Sequence, residues 1–381
     1  MQKISEKHIN GLDGLRGLAC LAVFGVHFEQ ITKIDGQLGL LSVSRLLENG
    51  NTGVAMFFLL SGFLLGLPYW RMKQEEGRKP GFGGYWIRRL ARIIPSYFVC
   101  LTGLILINHH GDLQNNDILL HYLFLFNCTE YSIYSINPPF WSIAVIVQFY
   151  LVLPMVFLLV SRLRSFQTFF IILLLSCGAY GVHFWLIHFT GSLTNWPISV
   201  DVIRTYGNVL QKSLLAHLPH FLLGTALGWL FLRLKHHEME FSFRIRIVSE
   251  FAFWVSVVLT IVILGTPLDN WCTVPYGRYN YPFIPLLLAI IIVSVPFSEL
   301  ARRLLDSFPI RGLGIISYGI YIYHLPIQHV TDKYMQKTGM NAGENWILFG
   351  MISLILSILI ASLSYIAIES PILRISKRII Q

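Results

Sequence analysis

Charged residues are scarce in this chain: only 13% of its 381 residues are Asp, Glu, Lys or Arg. An ordinary soluble domain carries about 25%. Hydrophobic residues make up 54% of the sequence, and the mean hydropathy is +0.60. A soluble core of this size cannot enclose so many apolar side chains, so we expect lipid to cover much of the surface. The composition therefore excludes an ordinary soluble enzyme.

Cysteines are few and scattered, and no two have the spacing of a metal site. We expect them to be small apolar residues of the core. Two of them, Cys128 and Cys272, fall in predicted outer loops. They could either form a disulfide or remain free thiols. The five are Cys20, Cys100, Cys128, Cys177 and Cys272.

The sequence also lacks a long linker, a low-complexity tract and a repeat of 20–50 residues, which predicts a single domain over 1–381. Lys3 and Lys7 precede an apolar stretch that begins near Leu12, as in a signal peptide. Asp13 and Arg16 interrupt that stretch, and no convincing cleavage site follows it. We therefore interpret it as the first membrane span.

Ten apolar stretches are suited to transmembrane helices, because each is about 20 residues long, whereas the strands of a membrane barrel alternate over about 10. The sequence thus predicts an all-α, polytopic transmembrane bundle. The stretches are 12–31, 52–70, 93–109, 139–161, 168–189, 214–234, 250–265, 280–297, 312–330 and 346–370.

The basic residues give this bundle an orientation. If the N-terminus is cytoplasmic, the inner segments hold about three times as many Lys and Arg as the outer ones, which is typical of cytoplasmic loops. The net charge of +9 is thus explained without nucleic acid. We therefore expect a multi-pass membrane protein with both termini on the cytoplasmic side.

The first predicted span carries three ionisable groups, Asp13, Arg16 and His27. Such groups are costly within a membrane and are usually functional or paired. Arg16 and His27 are eleven residues apart, about three helical turns or 16 Å, so their side chains share one face. A snorkelling arginine and a structural histidine are the alternative.

Arg89 and Arg92 lie one helical turn apart in a predicted cytoplasmic segment. Two guanidinium groups at this spacing are suited to one polyanion, with phosphate the obvious candidate. Ordinary anchoring by positive residues explains such arginines equally well.

Three further residues are predicted to lie at the depth of His27, in the outer third of the bilayer. They are His324 in the ninth span and Trp141 and Ser142 at the start of the fourth. An interfacial aromatic belt would also account for the tryptophan.

Six short motifs follow one another from the first span to the last, and together they resemble the acyltransferase type 3 family of bacterial integral-membrane acyltransferases. Each motif alone is weakly specific. They are Leu12–Gly17 with His27 at the R-x10-H spacing, Phe57–Phe63, Arg89–Arg92 followed by Pro95, Phe140–Ser142 with Gln148–Tyr150, Ser317–Tyr321 with His324, and Tyr365–Glu369 with Pro371.

The resemblance implies transfer of an acyl group, commonly acetyl from acetyl-CoA, to a hydroxyl of a carbohydrate, a lipid-linked glycan or a small molecule. It implies essential roles for Arg16 and His27 and places Arg89 and Arg92 on the acyl-CoA side. The donor is then a substrate, and no permanently bound cofactor or metal is expected. The resemblance also implies a multi-pass protein of the bacterial cytoplasmic (inner) membrane. Supporting roles are expected for Asp13, Ser61, Trp141, Ser142 and His324.

One departure from the family pattern concerns the fourth span, where W-S-x-x-x-E is expected and Ile146 replaces the glutamate. Isoleucine neither accepts a proton nor orients an imidazole, so this chain could be a catalytically impaired member. Loss of a general acid or base typically costs 10²–10⁴ in rate. A transporter or flippase-like protein is the alternative from another class, although no inverted repeat supports it.

Overall fold

The computed structural model describes residues 9–74, 82–107, 115–192, 207–272 and 281–380, which are predominantly helical. A two-stranded antiparallel hairpin, β1 (Gln37–Leu38) and β2 (Leu41–Ser42), is the sheet in this part of the chain. In chain order the α-helices are α1 (Leu12–Thr32), α2 (Val43–Glu48), α3 (Thr52–Gln74), α4 (Phe82–Ile107), α5 (Asn115–Tyr122), α6 (Glu130–Ile133), α7 (Trp141–Leu159), α8 (Ser165–Ser192), α9 (Leu214–Gly265), α10 (Phe283–Ser294), α11 (Glu299–Leu305), α12 (Phe308–Ile315), α13 (Ser317–Lys337), α14 (Trp346–Ser364) and α15 (Ser370–Ile380).

Short helical turns connect several of these elements. A π-helical turn (Tyr365–Glu369) continues α14 into α15. The 3-10 turns are Asn49–Asn51, Phe126–Cys128, Pro138–Phe140, Pro267–Asn270 and Val295–Phe297.

Seven helical stretches of the described residues are long and apolar enough to cross a membrane, and one pair bent by 95° would make an eighth. This confirms a polytopic helical protein, while the number of ten spans stays a prediction. The two predicted spans that are not among the eight correspond to α1 and α13. Each has 21 residues, about 31 Å of helix. Both helices are therefore long enough to cross a membrane. They fall outside the eight because polar side chains, Arg16 among them, lower their mean hydropathy.

Helical backbone runs from Leu214 to Gly265, through the connection that is predicted as a basic cytoplasmic loop between the spans 214–234 and 250–265. Lys, Arg and Glu are good helix formers, so a charged segment does not by itself end a helix. The chain still reverses its direction, because Phe221 packs against Gly62 of α3 while the carbonyl oxygen of Leu264 accepts from Asn49, just before α3. A straight helix would separate Phe221 from Leu264 by about 64 Å. The two apolar stretches Gly207–His237 and Ser242–Gly265 are therefore distinct, in agreement with the predicted connection.

Helices α3 and α9 approach each other closely through glycine. A Cβ at Gly62 would overlap the carbonyl oxygen of Phe221, and one at Gly224 would overlap that of Leu59. Small residues at such crossings permit backbone contact, which stabilises helix pairs where lipid offers no hydrophobic driving force. This crossing fixes α3, which forms one wall of the cavity described below.

Contacts between connecting segments hold both ends of the bundle. At one end the Gly11 amide donates to Asp306 Oδ1 at 2.8 Å. At the other end Arg45 Nη1 lies 2.8 Å from Asp269 Oδ1. Each contact joins two segments that the charge pattern places on the same side of the membrane.

All five cysteines are free thiols, including Cys128 and Cys272. Of the two possibilities left open for that pair, the structure has the free thiols. Cys20 and Cys100 are buried and pack in the largest hydrophobic cluster, as expected for small apolar residues.

Candidate functional site

A cavity of about 90 Å³ lies between α1, α3, α4, α7 and α13. This is room for roughly six water-sized groups. Apolar side chains form part of the wall, among them Phe57, Phe58 and Ile146. For the interior of a membrane bundle, the wall contains many polar side chains. They are Arg16, Arg89, Arg92, Ser61, Ser142, Ser317, Tyr150, Tyr318 and Tyr321.

Arg16 is positioned by the glycines around it. A Cβ at Gly14 would overlap the backbone of Leu305, and one at Gly314 would overlap the carbonyl of Asp13. These two glycines let the start of α1 lie directly against the segment before α13. Arg16 Nη1 donates to Asp13 Oδ1 at 3.0 Å, and both side chains are mostly buried. The ion pair fixes one edge of the guanidinium while the side chain still lines the cavity.

Arg89 and Arg92 lie one turn apart on α4 and line the same cavity. Both charges act on Arg16, so three guanidinium groups share one poorly solvated space. Glu369 is buried and lies close enough to Arg92 to interact with it electrostatically. Because like charges repel in such surroundings, an anion with several oxygens would be bound strongly here. The arrangement is suited to a phosphate-bearing ligand.

His27 and His324 form a second polar group, with ring centroids 5.2 Å apart. His324 Nδ1 lies 2.8 Å from the carbonyl oxygen of Tyr321, which can only accept, so Nδ1 carries the proton. The lone pair is then on Nε2, which is buried and has no hydrogen-bond partner among the described residues. His27 Nδ1 lies 2.9 Å from Gln30 Oε1, which assigns the same tautomer. The pair therefore presents two basic nitrogens.

Ser142 and Trp141 are neighbours in sequence but face different surroundings. Ser142 Oγ lies 2.6 Å from Tyr321 Oη and lines the cavity. The Trp141 ring packs 5.0 Å from that of His217, and the Lys212 ammonium lies 4.1 Å above it. Of the groups predicted to meet at one depth, the two histidines make direct ring contact and Ser142 connects to them through Tyr321. Trp141 belongs to a separate aromatic cluster.

Ile146 lies on α7, one turn beyond Ser142, and its side chain is part of the cavity wall. The sequence suggested that a glutamate there would hold the catalytic histidine or activate the acceptor. The structure places the position among the arginines instead, and neither His27 nor His324 is among the described residues that line the cavity. A carboxylate at 146 would thus face guanidinium groups before it faced an imidazole.

Three residues near the site were not singled out from the sequence. Tyr321 was quoted only as part of a motif, because an aromatic residue in a span gives no signal of its own. Gln30, which contacts His27 Nδ1, lies at the end of the first predicted span, where a single polar residue gives no signal of its own. Glu369 carried a usable signal, since an ionisable group inside a long apolar helix indicates a partner, here Arg92.

Comparison with known proteins places most of the chain in one family. The model of a family described as an acyltransferase domain matches residues 9–366. The chain is 26% identical to O-acetyltransferase OatA of Staphylococcus aureus (strain NCTC 8325), over 97% of this chain and 58% of that protein. It is 26% identical to peptidoglycan O-acetyltransferase OatA of Listeria monocytogenes, over 97% of this chain and 56% of that protein.

A third relative is the putative peptidoglycan O-acetyltransferase YrhL of Bacillus subtilis, 27% identical over 96% of this chain and 55% of that protein. The chain thus spans a little more than half the length of these relatives. No solved structure matches it. The match over residues 9–366 covers the cavity, the arginines and both histidines. The chain belongs to the acyltransferase type 3 family of membrane proteins.

Proposed function

We propose that this protein transfers an acetyl group from a cytoplasmic acyl-CoA to a hydroxyl of a cell-surface carbohydrate. One observation carries the proposal: α1 brings Arg16 into a cavity with Arg89 and Arg92, and three turns further on brings His27 against His324. An anion site and a basic site therefore share one helix. The printed names of the relatives, O-acetyltransferase and peptidoglycan O-acetyltransferase, support acetyl as the group and peptidoglycan as the first acceptor to test.

The donor would be held at the arginine cavity. Arg89 and Arg92 would bind the phosphates of acyl-CoA, since guanidinium forks match phosphate oxygens in a bidentate way. The acyl-pantetheine arm would extend along α1 past Arg16. Arg16 would bind polar atoms of this arm, since about 16 Å of helix separates it from His27.

His27 would act as the general base. Its Nε2 takes the proton of the acceptor hydroxyl while the oxygen attacks the thioester carbonyl. The C–O bond forms, the C–S bond breaks, and the proton passes from His27 to the departing thiolate. His324, whose Nε2 is also basic, would share the positive charge that His27 gains. Asp13 would hold Arg16 in place, and Ser61 and Ser142 would bind polar atoms of the substrates.

This mechanism requires the predicted orientation, with ten spans and both termini in the cytoplasm. Acyl-CoA is a cytoplasmic metabolite, and Arg89 and Arg92 lie towards the side with the excess of basic residues. The contacts Gly11–Asp306 and Arg45–Asp269 support the predicted pairing of the connecting segments, because each joins segments assigned to the same side. Which side is cytoplasmic rests on the charge pattern. The cytoplasmic membrane is the expected location.

Ile146 favours a second version of the proposal, in which this chain is an impaired acyltransferase that binds the donor and turns it over slowly. Its side chain occupies the cavity wall where the family pattern has glutamate. Ile146→Glu tests this version directly: faster acetyl transfer would support impairment, and an unchanged or lower rate would contradict it. Ile146→Gln, which matches the size without the charge, is the control.

Detergent-purified protein with radiolabelled acetyl-CoA and an acceptor panel that includes peptidoglycan strands tests the main proposal. We expect labelled acceptor from the wild type, much less from His27→Ala, and weaker acyl-CoA binding after joint replacement of Arg89 and Arg92. Arg162 and Arg164, basic residues outside the cavity, provide a matched double variant. Absence of labelled product from the wild type, or full activity in His27→Ala, would refute it.

A further inference from the structure

Proline interrupts the hydrogen-bond ladder of α13 just beyond His324. Pro326 has no backbone N–H, so it cannot donate to the carbonyl of Ile322, four positions earlier. Ile322 is fully buried, and a buried carbonyl without a donor destabilises the fold. His324 lies midway between these two residues. The regular helical hydrogen bond is therefore missing across the turn that carries this histidine.

A side chain from the connection before α7 supplies the missing donor. Asn137 Nδ2 donates to the carbonyl oxygen of Ile322 at 3.0 Å. The thiol of Cys100 lies 3.6 Å from the same oxygen, but a thiol is a weak donor. Asn137 is 2% exposed, and its Oδ1 has no hydrogen-bond partner among the described residues. Within that part of the chain, the carboxamide is therefore committed to this one carbonyl.

The backbone of Asn137 is fixed by the residues that follow it. A residue before proline is restricted to extended conformations, and Asn137, which precedes Pro138, has φ −149° and ψ 106°. Its carbonyl accepts from the amide of Phe140 at 2.9 Å, which closes the short turn in front of α7. Tyr321 Oη donates to the carbonyl of Pro139 at 3.1 Å, so the same connection is joined to α13 a second time. These contacts hold the Asn137 side chain against α13.

His324 depends on the same turn of α13. Its Nδ1 lies 2.8 Å from the carbonyl oxygen of Tyr321 and 3.1 Å from that of Ile320. Three successive carbonyl groups therefore accept from side chains, two from His324 and the third, that of Ile322, from Asn137. A shift of this turn moves the imidazole relative to the neighbouring one on α1, whose ring centroid is 5.2 Å away.

We propose that Asn137 is a positioning residue that aligns His324 with His27. It does so by supplying the hydrogen bond that Pro326 removes from the turn. This role rests on the proposed function, in which the two histidines handle the proton of the acceptor hydroxyl. Asn137 is not among the described residues that line the arginine cavity, so it should affect turnover and leave donor binding unchanged. A misplacement of about 1 Å near reacting groups can lower a rate by about 10².

The first test removes the N–H donor and measures turnover and donor binding separately. Asn137→Ala should lower kcat by about 10–100-fold, while acyl-CoA affinity stays within about twofold. Asn137→Leu should act in the same way, since it keeps the approximate size of the side chain and lacks its N–H. Ser135→Ala is the matched control in the same connection, because Ser135 Oγ donates locally to the carbonyl of Ser132. Its kcat should equal that of the wild type.

Pro326→Ala distinguishes positioning from stability alone. Alanine at this position brings a backbone N–H that can donate to Ile322 in place of Asn137. In the double variant Asn137→Ala/Pro326→Ala, the melting temperature should therefore rise above that of Asn137→Ala. Its kcat should stay low, because the turn closes into regular helix. Recovery of kcat together with the melting temperature would overturn the proposal, and so would a wild-type kcat in Asn137→Ala.

A chemical label follows His324 without any turnover. Diethyl pyrocarbonate modifies accessible neutral imidazoles, and peptide mass spectrometry locates each modified histidine. His324 is 1% exposed, so in the wild type it should stay unmodified while the exposed His188 reacts. In Asn137→Ala, labelling of His324 should become at least about tenfold faster, since an unpaired carbonyl favours local opening of the turn.

The label also separates this proposal from the proposed function. Unchanged labelling of His324 in Asn137→Ala would overturn the positioning role, whether or not the protein transfers an acyl group. A wild type that transfers nothing from acetyl-CoA, together with faster labelling in the variant, would refute the proposed function and retain Asn137 as the residue that holds His324.

Discussion

The two polar regions along α1 are built in opposite ways. Around Arg16 the helices leave a cavity of about 90 Å³, and cationic side chains from α1 and α4 surround it. Around His27 the helices pack closely, so that two imidazoles lie 5.2 Å apart and His324 is 1% exposed. Space for an anion is thus present before any ligand arrives, while the basic nitrogen of His324 is covered. The difference indicates that donor binding needs less rearrangement than the chemistry that follows.

The largest effect is expected from His27→Ala, which removes the general base and leaves the cavity intact. Acetyl transfer should fall by about 10²–10⁴, while acyl-CoA affinity stays within about twofold. Turnover and donor binding measured on the same preparation check this. His188→Ala, an exposed position on α8, should leave both unchanged. If His27→Ala lost donor affinity to the same extent as activity, His27 would also take part in donor binding. The two regions would then not have separate roles.

Joint replacement of Arg89 and Arg92 by alanine should have the complementary effect. Each lost charge-assisted hydrogen bond weakens binding by about 1.5–3 kcal/mol, so acyl-CoA affinity should fall by about 10² or more. Titration calorimetry at two salt concentrations measures the affinity and its electrostatic share. The double variant of Arg162 and Arg164 should retain wild-type affinity. Equal losses in both double variants would mean that the net basic charge, rather than the cavity, attracts the donor.

A smaller effect is expected from Asp13→Asn. The amide keeps the size of the carboxylate and loses the charge that holds Arg16 at 3.0 Å. Since Arg16 is proposed to bind the donor, the donor KM should rise about tenfold with a smaller change in kcat. Steady-state kinetics give both values. Asp332→Asn, at a half-buried position of α13 that accepts a hydrogen bond from Gln336, is the control. A change confined to kcat would contradict a role of Arg16 in donor binding.

The smallest effect is expected at position 146, where the donor KM should change but the pH dependence of kcat should not. A glutamate introduced on the cavity wall would lie near the arginines, so Ile146→Glu should shift the donor KM by a few-fold. It should leave the pH dependence of kcat as it is, because 146 is on the arginine side and not beside His27. Rate profiles over pH for Ile146→Glu and Ile146→Gln measure this. An altered profile in the glutamate variant alone would connect position 146 to the histidines.

Much of this arrangement follows from the sequence, for identifiable reasons. The helical membrane bundle follows from long apolar runs, and the shared face of Arg16 and His27 follows from a spacing of three turns. That α4 brings Arg89 and Arg92 to Arg16 depends on tertiary packing, including the glycine contact between Gly14 and Leu305. Side-chain packing cannot be predicted from periodicity.

The same limit explains two differences from the sequence predictions. Trp141 and Ser142 are adjacent, and their depth in the membrane was predicted without the direction in which each faces. The segment between the two apolar halves of α9 stays helical because its charged residues are good helix formers, although their charge suggested a loop. In both cases one-dimensional patterns give depth and composition, while the neighbours of each side chain decide its direction.

Because Arg16 and His27 belong to one uninterrupted helix, neither can be displaced along the helix axis without the other. A donor that draws Arg16 by 1 Å towards its own charge would, on a rigid helix, advance His27 by about the same amount relative to α13. Arrival of the donor and alignment of the base with the acceptor would then be one mechanical event. Protein without donor would keep its base out of register with the acceptor.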